Sequence, residues 1–389
     1  MQQLYRHPEV GAVAQVTGRT GSRMRIVYLL EGTETWGGVK VVLQHANGLT
    51  GLGHHVIILS KGPVPAWFPL TAEFRQVTAF TPNLIPQAEY IIATYWTTVA
   101  PAVASKRGIP VHFCQGYEGD LYPEGERRAE IEAIWRLPPE RLPGPEACAK
   151  LRNDIEAVYR LPTLKVTIRP HLKELITSRF GQPCHDVGNG LDLKRFRPGT
   201  ARQEGRQRRI LVMGPWEWPV KGIPYALEGL RRLRERRHDL WVIRASQLPQ
   251  LEPERALGVV DDYRCGVAPY AMPDLYRGCD LFVSASTEEE GFGLGALEAM
   301  ACGVPCVLTA IPSYLSFGKD RNYALFVPPR DPAAVADAVD RILSDPTLCG
   351  QLRAAGLTVA AQHPVEAAVE RMEGVLLAHL AGSAIITPR

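Results

Sequence analysis

The stretch from Met24 to Ser60 limits what this chain can fold into more than any other part of the sequence. Met24 to Leu30 is an apolar run of strand length, and Gly37-Gly38 then opens a segment with helical spacing of its apolar residues. A second apolar run occupies 55–60. This order predicts a strand, a glycine loop, a helix and a second strand. Such a unit places its two strands parallel to each other in one sheet.

The same alternation continues along the chain and is interrupted once. Gly, Asn and Pro cluster between Val187 and Gly199, ahead of a polar stretch that extends to Arg209. Strands are predicted before this break at 90–93, 111–114 and 165–168, and after it at 210–213, 240–243, 281–284 and 305–308. Helices are predicted after the break at 224–236, 272–276 and 294–301. The pattern therefore predicts two doubly wound parallel sheets.

This organisation predicts an α/β protein with two Rossmann-like domains that face a central cleft. The 389 residues suffice for two domains with separate cores. We expect an N-terminal domain over 24–190 and a C-terminal domain over 191–364. A flexible extension is expected over 1–23, and a C-terminal helix and tail over 365–389 that returns to the N-terminal domain.

Composition excludes several classes of protein. A net charge of +3 is too small to indicate a nucleic-acid-binding protein. The eight cysteines form no C-x-x-C pair, so we expect reduced, buried thiols rather than a zinc site or disulfides. No apolar run could span a membrane, and 1–23 lacks the apolar core of a signal peptide. A cytoplasmic location is expected, with the inner face of the membrane as an alternative.

The segment 288–305, which reads EEEGFGLGALEAMACGVP, holds the most informative residues. It follows the predicted strand 281–284, so Gly291 to Gly293 form a turn into a helix whose free N–H groups favour a phosphate. Glu290 precedes this turn. Glu298 lies inside a mostly apolar helix, where a buried carboxylate needs hydrogen-bond donors such as ribose hydroxyls.

This segment resembles the E-x7-E signature of the family 4 retaining glycosyltransferases, which have the GT-B architecture of two Rossmann-like domains. The resemblance extends over most of the chain from Met24. It includes Gly37-Gly38-Val39, the stretch Gly188-Asn-Gly-Leu-Asp192 between the domains, and the segment 326–335. The family moves a sugar from a nucleotide diphosphate sugar to an acceptor hydroxyl.

The resemblance also implies roles for individual residues. Glu290 would contact the donor sugar and Glu298 the ribose of the nucleotide. Lys221 and the backbone of the turn at Gly293 would hold the diphosphate, while glycines of the other domain close over it. The expected donor-binding residues are Gly37, Gly38, Lys221, Glu290, Phe292, Gly293, Leu294 and Glu298, with Glu290, Lys221 and Glu118 as the catalytic ones.

The chain departs from the family pattern in two places. The family has an arginine directly after the glycine of the first strand in the C-terminal domain, whereas Pro215 follows Gly214 here. Lys221 is present, and Trp216 and Trp218 either line the donor pocket or pack the loop. The family's loop histidine is also missing, because His112 falls within a predicted strand.

On the acceptor side we expect Tyr95, Trp96, Tyr117 and Glu118. The string from Gln115 to Pro123 resembles a segment of bacterial rhamnosyltransferases that act on cell-surface polymers. His54 and His55 are expected to be structural.

The resemblance implies a retaining glycosyltransferase of cell-surface glycan or glycoconjugate biosynthesis. We expect no cofactor and no metal, because no D-x-D sequence occurs. The expected partners are a nucleotide-sugar donor and a glycan, lipid-linked or small-molecule acceptor, with peripheral membrane contact as an open alternative. Two other functions stay open: a nucleotide-sugar epimerase of the same architecture, and a catalytically silent subunit that binds nucleotide sugars.

Overall fold

The computed structural model describes residues 23–138, 140–199 and 207–384. Apart from Arg23, the predicted flexible extension lies outside the described residues. Every pair of neighbouring strands in the described part is parallel. The strands form two sheets, as the sequence predicts, of which one has seven strands and the other six.

The seven-stranded sheet has the order β3-β2-β1-β4-β5-β6-β7. Its strands are β1 (Arg25–Leu30), β2 (His55–Ser60), β3 (Glu73–Gln76), β4 (Tyr90–Ala93), β5 (Ile109–Cys114), β6 (Leu164–Thr167) and β7 (Cys184–Asp186). The helices in this half of the chain are α1 (Gly37–Gly51), α2 (Trp96–Ser105), α3 (Gly125–Trp135), α4 (Pro145–Tyr159) and α5 (Pro170–Phe180).

The six-stranded sheet has the order β10-β9-β8-β11-β12-β13. Its strands are β8 (Arg208–Met213), β9 (Leu240–Ser246), β10 (Asp262–Cys265), β11 (Leu281–Ser284), β12 (Cys306–Thr309) and β13 (Leu325–Val327). The helices are α6 (Ile223–Arg234), α7 (Glu252–Arg255), α8 (Met272–Arg277), α9 (Leu294–Ala301), α10 (Pro312–Leu315), α11 (Pro332–Ser344), α12 (Pro346–Ala360) and α13 (Val365–Ala384).

The central strands are the ones that apolar runs predict. Every residue of β4 and β12 is buried, because helices cover both faces of a parallel sheet. The edge strand β3 has no such run, since three of its four residues are polar and exposed. Helix α3 also lacks a clear sequence signal, because its apolar residues do not gather on one face.

Each sheet reverses its strand order at one point, which lies between β1 and β4 in the first sheet and between β8 and β11 in the second. At such a point the loops after the two central strands separate and leave a crevice at the carboxyl ends of the strands. The two crevices face each other across the gap between the domains, and the loops of both line one cleft.

The chain crosses between the domains at two adjacent places. Leu191 on the first crossing donates its N–H to the carbonyl of His363, at 2.9 Å, and accepts from the N–H of Val365, also at 2.9 Å. Helix α13 then packs along α1 of the N-terminal domain. His54 Nε2 contacts Glu373 of α13 at 2.9 Å, and Tyr90 donates its hydroxyl to the Leu376 carbonyl at 2.7 Å.

Helix α3 belongs to the N-terminal half of the sequence but packs on the C-terminal domain. Its Ile131 and Trp135 lie in the hydrophobic cluster that contains Trp216, Ile223 and Tyr225. This helix bridges the two domains at one side of the cleft. None of the described helices is both long and apolar enough to cross a lipid bilayer.

Candidate functional site

The cleft between the domains has a volume of about 950 Å³. Its C-terminal wall consists of the loops after β8 and β11 with the start of α9. Its N-terminal wall consists of the loops after β1, β4 and β5, together with part of α3 and the segment that follows it. Concave sites of this size between domains are the usual place for small-molecule ligands.

The start of α9 is shaped by a glycine in a left-handed conformation. Gly293 has φ of 85° and caps the helix, and a Cβ atom there would lie 2.2 Å from the Tyr314 ring. No other residue fits this position without displacing the ring. The first N–H groups of α9, beside Leu294, have no carbonyl partner within the helix and lie at its positive dipole end, an arrangement that favours an anion.

Glu290 lies at the mouth of this turn and is held by two side chains. Lys221 Nζ donates to Glu290 Oε2 at 2.8 Å, and Ser286 Oγ donates to the same oxygen at 3.0 Å. Tyr314 donates in turn to Ser286 Oγ at 3.0 Å. Glu290 is 7% exposed and borders the cleft. Its hydrogen bonds therefore fix the orientation of the carboxylate before any ligand binds.

Glu298 lies further along α9 and is held from both domains. Tyr276 of α8 donates its hydroxyl to Glu298 Oε2 at 2.8 Å. Lys40 of α1, in the other domain, donates Nζ to Glu298 Oε1 at 2.6 Å and lies 4.6 Å from the centre of the Phe196 ring. Glu298 is buried, as predicted, and its carboxylate has the hydrogen-bond donors that a buried charge requires. It also lines the cleft.

The loop after β8 brings Lys221 to this wall. Gly222 follows with φ of 58°, and a Cβ atom there would lie 1.8 Å from the Ala285 carbonyl oxygen, so the loop packs directly on the end of β11. Arg244 supports the loop from below, donating Nη2 to the Gly214 carbonyl at 2.6 Å while pairing with Glu254 at 2.7 Å. The Arg244 side chain is fully buried, so it does not replace the missing arginine in the cleft.

The structure distinguishes the two tryptophans of this loop. Trp216 is 2% exposed and donates Nε1 to the Trp135 carbonyl at 3.0 Å, so it packs the loop against α3. Trp218 lines the cleft and stacks on Trp36 of the other domain, with ring centroids 4.7 Å apart. A pair of aromatic rings therefore bridges the cleft near the glycine loop of α1.

Three of the four residues expected on the acceptor side lie at the cleft, namely Tyr95, Tyr117 and Glu118. Trp96 does not line it, which differs from the prediction. Trp96 is the first residue of α2, and its ring packs against the hydrophobic cluster that contains Ile155 and Phe180.

Glu118 is the carboxylate of the N-terminal wall. Its carboxylate lies within hydrogen-bond distance of the Tyr159 hydroxyl, whose single proton can be donated either to Glu118 or to the Gly116 carbonyl, 2.9 Å away. Burial raises the pKa of Glu118, although hydrogen bonds from Tyr159 and from backbone N–H groups act in the opposite direction. His112 lies fully buried within β5, as its sequence position predicts, with its ring 4.6 Å from that of Tyr159.

Phe292 borders the cleft, but its ring packs on the interface between the domains. The Arg169 guanidinium lies between Phe292, at 4.0 Å, and Phe317, at 4.3 Å. Arg169 follows β6 of the N-terminal domain and is 4% exposed. This cation–π contact between domains holds the glycine turn of the C-terminal wall from behind.

Several charged residues of the cleft are not among those the sequence predicts, and two of them, Arg127 and Lys40, reach from one domain to the other. Arg127 of α3 donates to Thr287 Oγ1 at 3.1 Å and pairs with Glu289 at 3.2 Å. Its helix carries no detectable apolar pattern. Lys40 does have a signal: a lysine at the end of the first turn of α1 lies at the positive end of the helix dipole, which disfavours a cation without an acidic partner.

No group of three or more His, Cys, Asp or Glu side chains that could hold a metal ion occurs among residues 23–138, 140–199 and 207–384. The eight cysteines are unbridged. Six are buried, as expected, whereas Cys265 is exposed and Cys349 is partly exposed.

Residues 207–345 match the family model described as "Glycosyl transferases group 1". A D-inositol 3-phosphate glycosyltransferase from Frankia alni is 28% identical over 332 residues, which are 78% of this chain and 77% of that protein. Two further proteins of that name, from Salinispora arenicola and Kribbella flavida, are matched over only about half of their length, 51% and 53%.

Solved structures share the fold of most of the chain. Sucrose-phosphate synthase from Thermosynechococcus elongatus superposes with a TM-score of 0.71 at 18% identity, covering 92% of this chain and all of that one. Anabaena HepE, solved in complex with UDP-glucose, superposes with a TM-score of 0.67 at 14% identity, covering 93% of this chain and all of that one. At these identities the likeness concerns the fold.

Proposed function

The chain belongs to the group 1 glycosyltransferases and has the GT-B fold, and from this premise we propose that it transfers a sugar from a nucleotide diphosphate sugar to an acceptor hydroxyl with retention of the anomeric configuration. The donor would lie on the C-terminal wall of the cleft. The acceptor would enter along the N-terminal wall, which holds Tyr95, Tyr117 and Glu118.

One observation carries the proposal more than any other. The two carboxylates of a single motif, Glu290 and Glu298, lie on either side of the positive end of α9, and each is paired with a lysine in the same cleft. This arrangement offers acceptors for the hydroxyls of a sugar and a ribose, with cations and N–H groups for the diphosphate between them. A site built only for an anion would not need the carboxylates.

The chemistry required of the protein is mainly positioning and stabilisation of charge. As the bond from the anomeric carbon to the diphosphate oxygen breaks, negative charge grows on the leaving diphosphate, where Lys221 and the N-terminus of α9 would stabilise it. In a retaining transfer on one face, the departing diphosphate can accept the proton of the incoming hydroxyl. Contacts between the domains, such as the Trp36–Trp218 stack, would exclude water that hydrolyses the donor.

Glu118 would orient the acceptor rather than attack the sugar. Its hydrogen bond to Tyr159 fixes the carboxylate on the acceptor wall, where it can form a hydrogen bond with an acceptor hydroxyl. The names of the relatives make D-inositol 3-phosphate the first acceptor to test.

The test begins with a thermal-shift screen of UDP, GDP, ADP, CDP and dTDP. A ligand at a hundred times its dissociation constant stabilises the folded state by about 2.7 kcal/mol, which is readily measured. The sugar donors of the best nucleotide are then incubated with acceptors, and NMR of the product gives the anomeric configuration. Products with the donor's configuration support the proposal, and inverted products contradict the retaining mechanism.

The same transfer assay distinguishes the proposed transferase from the two alternative functions. An epimerase would convert the donor with no acceptor present, and a silent binding subunit would bind the nucleotide and transfer nothing. Transfer should persist in excess EDTA, since Lys221 and the α9 N-terminus provide positive charge to the diphosphate. Activity that disappears with EDTA and returns with magnesium or manganese would overturn the metal-independent mechanism.

A further inference from the structure

Among the described residues, Lys40 is the one lysine that the N-terminal domain contributes to the lining of the cleft. It projects from α1, two residues after the glycines expected to close over the diphosphate. Its Nζ atom reaches across the domain gap to Glu298 Oε1 at 2.6 Å, and the two side chains are 17% and 9% exposed. The pair is thus largely shielded from solvent but open to the cleft.

The position of Lys40 conflicts with the role proposed for its partner. Both oxygens of Glu298 already have donors, Lys40 on one and Tyr276 on the other. Tyr276 is fully buried on the helix beneath α9 and cannot move without disturbing the core. Ribose hydroxyls that bind Glu298 must therefore share or displace Lys40, whose long flexible side chain can reorient easily.

A displaced Lys40 would be close to the place where a second cation is needed. A nucleoside diphosphate carries at least two negative charges, and Lys221 is itself paired with Glu290 at 2.8 Å. Pro215 stands after Gly214, so the loop after β8 provides no second cation there. The first turn of α1 lies beside the start of α9. A Cβ atom on Gly37, three positions before Lys40, would lie 3.7 Å from Leu294 Cδ1, the first side chain of α9.

We propose that Lys40 is the second cation for the donor diphosphate, and that it moves from Glu298 to the diphosphate when ribose hydroxyls occupy the carboxylate. Before the donor binds, Glu298 holds Lys40, and the Phe196 ring lies against the Lys40 ammonium group. Because Lys40 belongs to the N-terminal domain, the exchange makes the diphosphate a bridge between the two walls. This inference rests on the proposed function, since it concerns the same donor.

The first test compares two ligands that differ by one phosphate. The best-bound nucleoside diphosphate and its monophosphate are titrated calorimetrically against the parent protein and Lys40→Met. Loss of one charged contact should weaken diphosphate binding about ten- to a hundredfold. Binding of the monophosphate should change by less than about threefold, because it lacks the second phosphate. Lys40→Arg, which keeps the charge, should recover most of the diphosphate affinity.

Lys61 provides a matched control. It also pairs with a glutamate, Glu31 at 2.7 Å, and lies 5.0 Å from the centre of an aromatic ring, that of Phe80. It does not line the cleft. Lys61→Met should therefore leave both affinities unchanged. Melting temperatures of all variants identify any that fail to fold, and Lys40→Gln, which also removes the charge, replaces Lys40→Met if the methionine variant is unstable.

A second test asks whether Lys40 acts on the diphosphate directly or only by orienting Glu298. In a Glu298→Gln background, Lys40→Met should still lower diphosphate affinity about tenfold or more, because the phosphate contact does not depend on the carboxylate. An effect that vanishes in this background, or equal losses for monophosphate and diphosphate, would overturn the proposal. If the parent protein binds none of the nucleoside diphosphates, the proposed function itself fails, whatever Lys40 does.

Discussion

The two carboxylates and the glycine turn of the C-terminal wall come from one continuous stretch of chain, whereas the polar side chains of the N-terminal wall come from several. Glu290, Gly293 and Glu298 lie on a single loop and helix, so their spacing in the sequence almost fixes their spacing in space. On the opposite wall, Tyr95 follows β4, Glu118 follows β5, and the partner of Glu118 is Tyr159 at the end of α4. Local backbone geometry builds the first wall, and tertiary packing builds the second.

This difference predicts how each wall responds to change. A substitution that alters the backbone of the C-terminal wall should disturb the whole anion site, because one turn carries it. A substitution on the N-terminal wall should remove one contact and leave the others in place.

The largest effect is expected for Gly293→Ala. The new Cβ atom would lie 2.2 Å from the Tyr314 ring at a φ of 85°, so the turn must shift or the ring must move. Backbone strain and overpacking together should cost about 2–4 kcal/mol, measured by urea unfolding. Transfer should fall at least about a hundredfold, since the same turn holds Glu290 beside Lys221.

The matched control is Gly350→Ala in α12, where a Cβ atom would meet nothing within 4 Å. Alanine is the better helix former by roughly 0.5–1 kcal/mol, so this variant should be as stable as the parent or more so. Full activity of Gly293→Ala would show that the turn does not hold the C-terminal wall as a unit.

The second prediction separates the two carboxylates of the C-terminal wall. Glu298→Gln should weaken binding of the nucleoside diphosphate about ten- to a hundredfold, because a charged acceptor for the ribose is lost. Glu290→Ala should change nucleotide binding little and lower transfer about a hundredfold or more. Calorimetry and initial rates measure the two effects. Nucleotide affinities equal to the parent's in both variants would contradict the division of roles.

The third prediction addresses the N-terminal wall. Glu118→Gln keeps the size and most hydrogen bonds of the side chain, so it should lower transfer about ten- to a hundredfold and leave nucleotide affinity unchanged. A glycosyl adduct on Glu118, found by mass spectrometry of the intact protein, would show instead that this residue is a nucleophile.

Glu118 should also make stability depend on pH. Burial raises its pKa above the value in the unfolded chain, so the protonated form is favoured by folding and this contribution is lost as pH rises through the folded pKa. Glu118→Gln cannot ionise, so it should gain stability relative to the parent as the pH rises above 4.5, the ordinary pKa of a glutamate. A constant difference in unfolding free energy over this range would show that the folded pKa is not raised.

The smallest effect is expected where the two walls meet. The Trp36–Trp218 stack should contribute about 0.5–1.5 kcal/mol of coupling between the domains. A double-mutant cycle with Trp36→Ala and Trp218→Ala, read out as donor affinity, measures this coupling. Additive effects of the two substitutions would mean that the stack does not link the walls when the donor is bound.

The sequence determined the two parallel sheets and the C-terminal wall. Buried parallel strands require near-continuous apolar runs, so β1, β4, β11 and β12 could be located directly, and a glycine turn between a strand and a helix fixes where Glu290 and Glu298 lie. Both features depend on residues close together along the chain, and local patterns report them reliably.

Only the tertiary structure decided which residues of the two halves meet. Lys40 and Glu298 are 258 positions apart, and nothing local to either indicates the other. The same holds for Arg169 between Phe292 and Phe317, for the docking of α3 on the C-terminal domain, and for Trp96, which faces a core rather than the cleft. Such contacts depend on how two domains are oriented, and that orientation arises from the packing of surfaces that no short segment specifies.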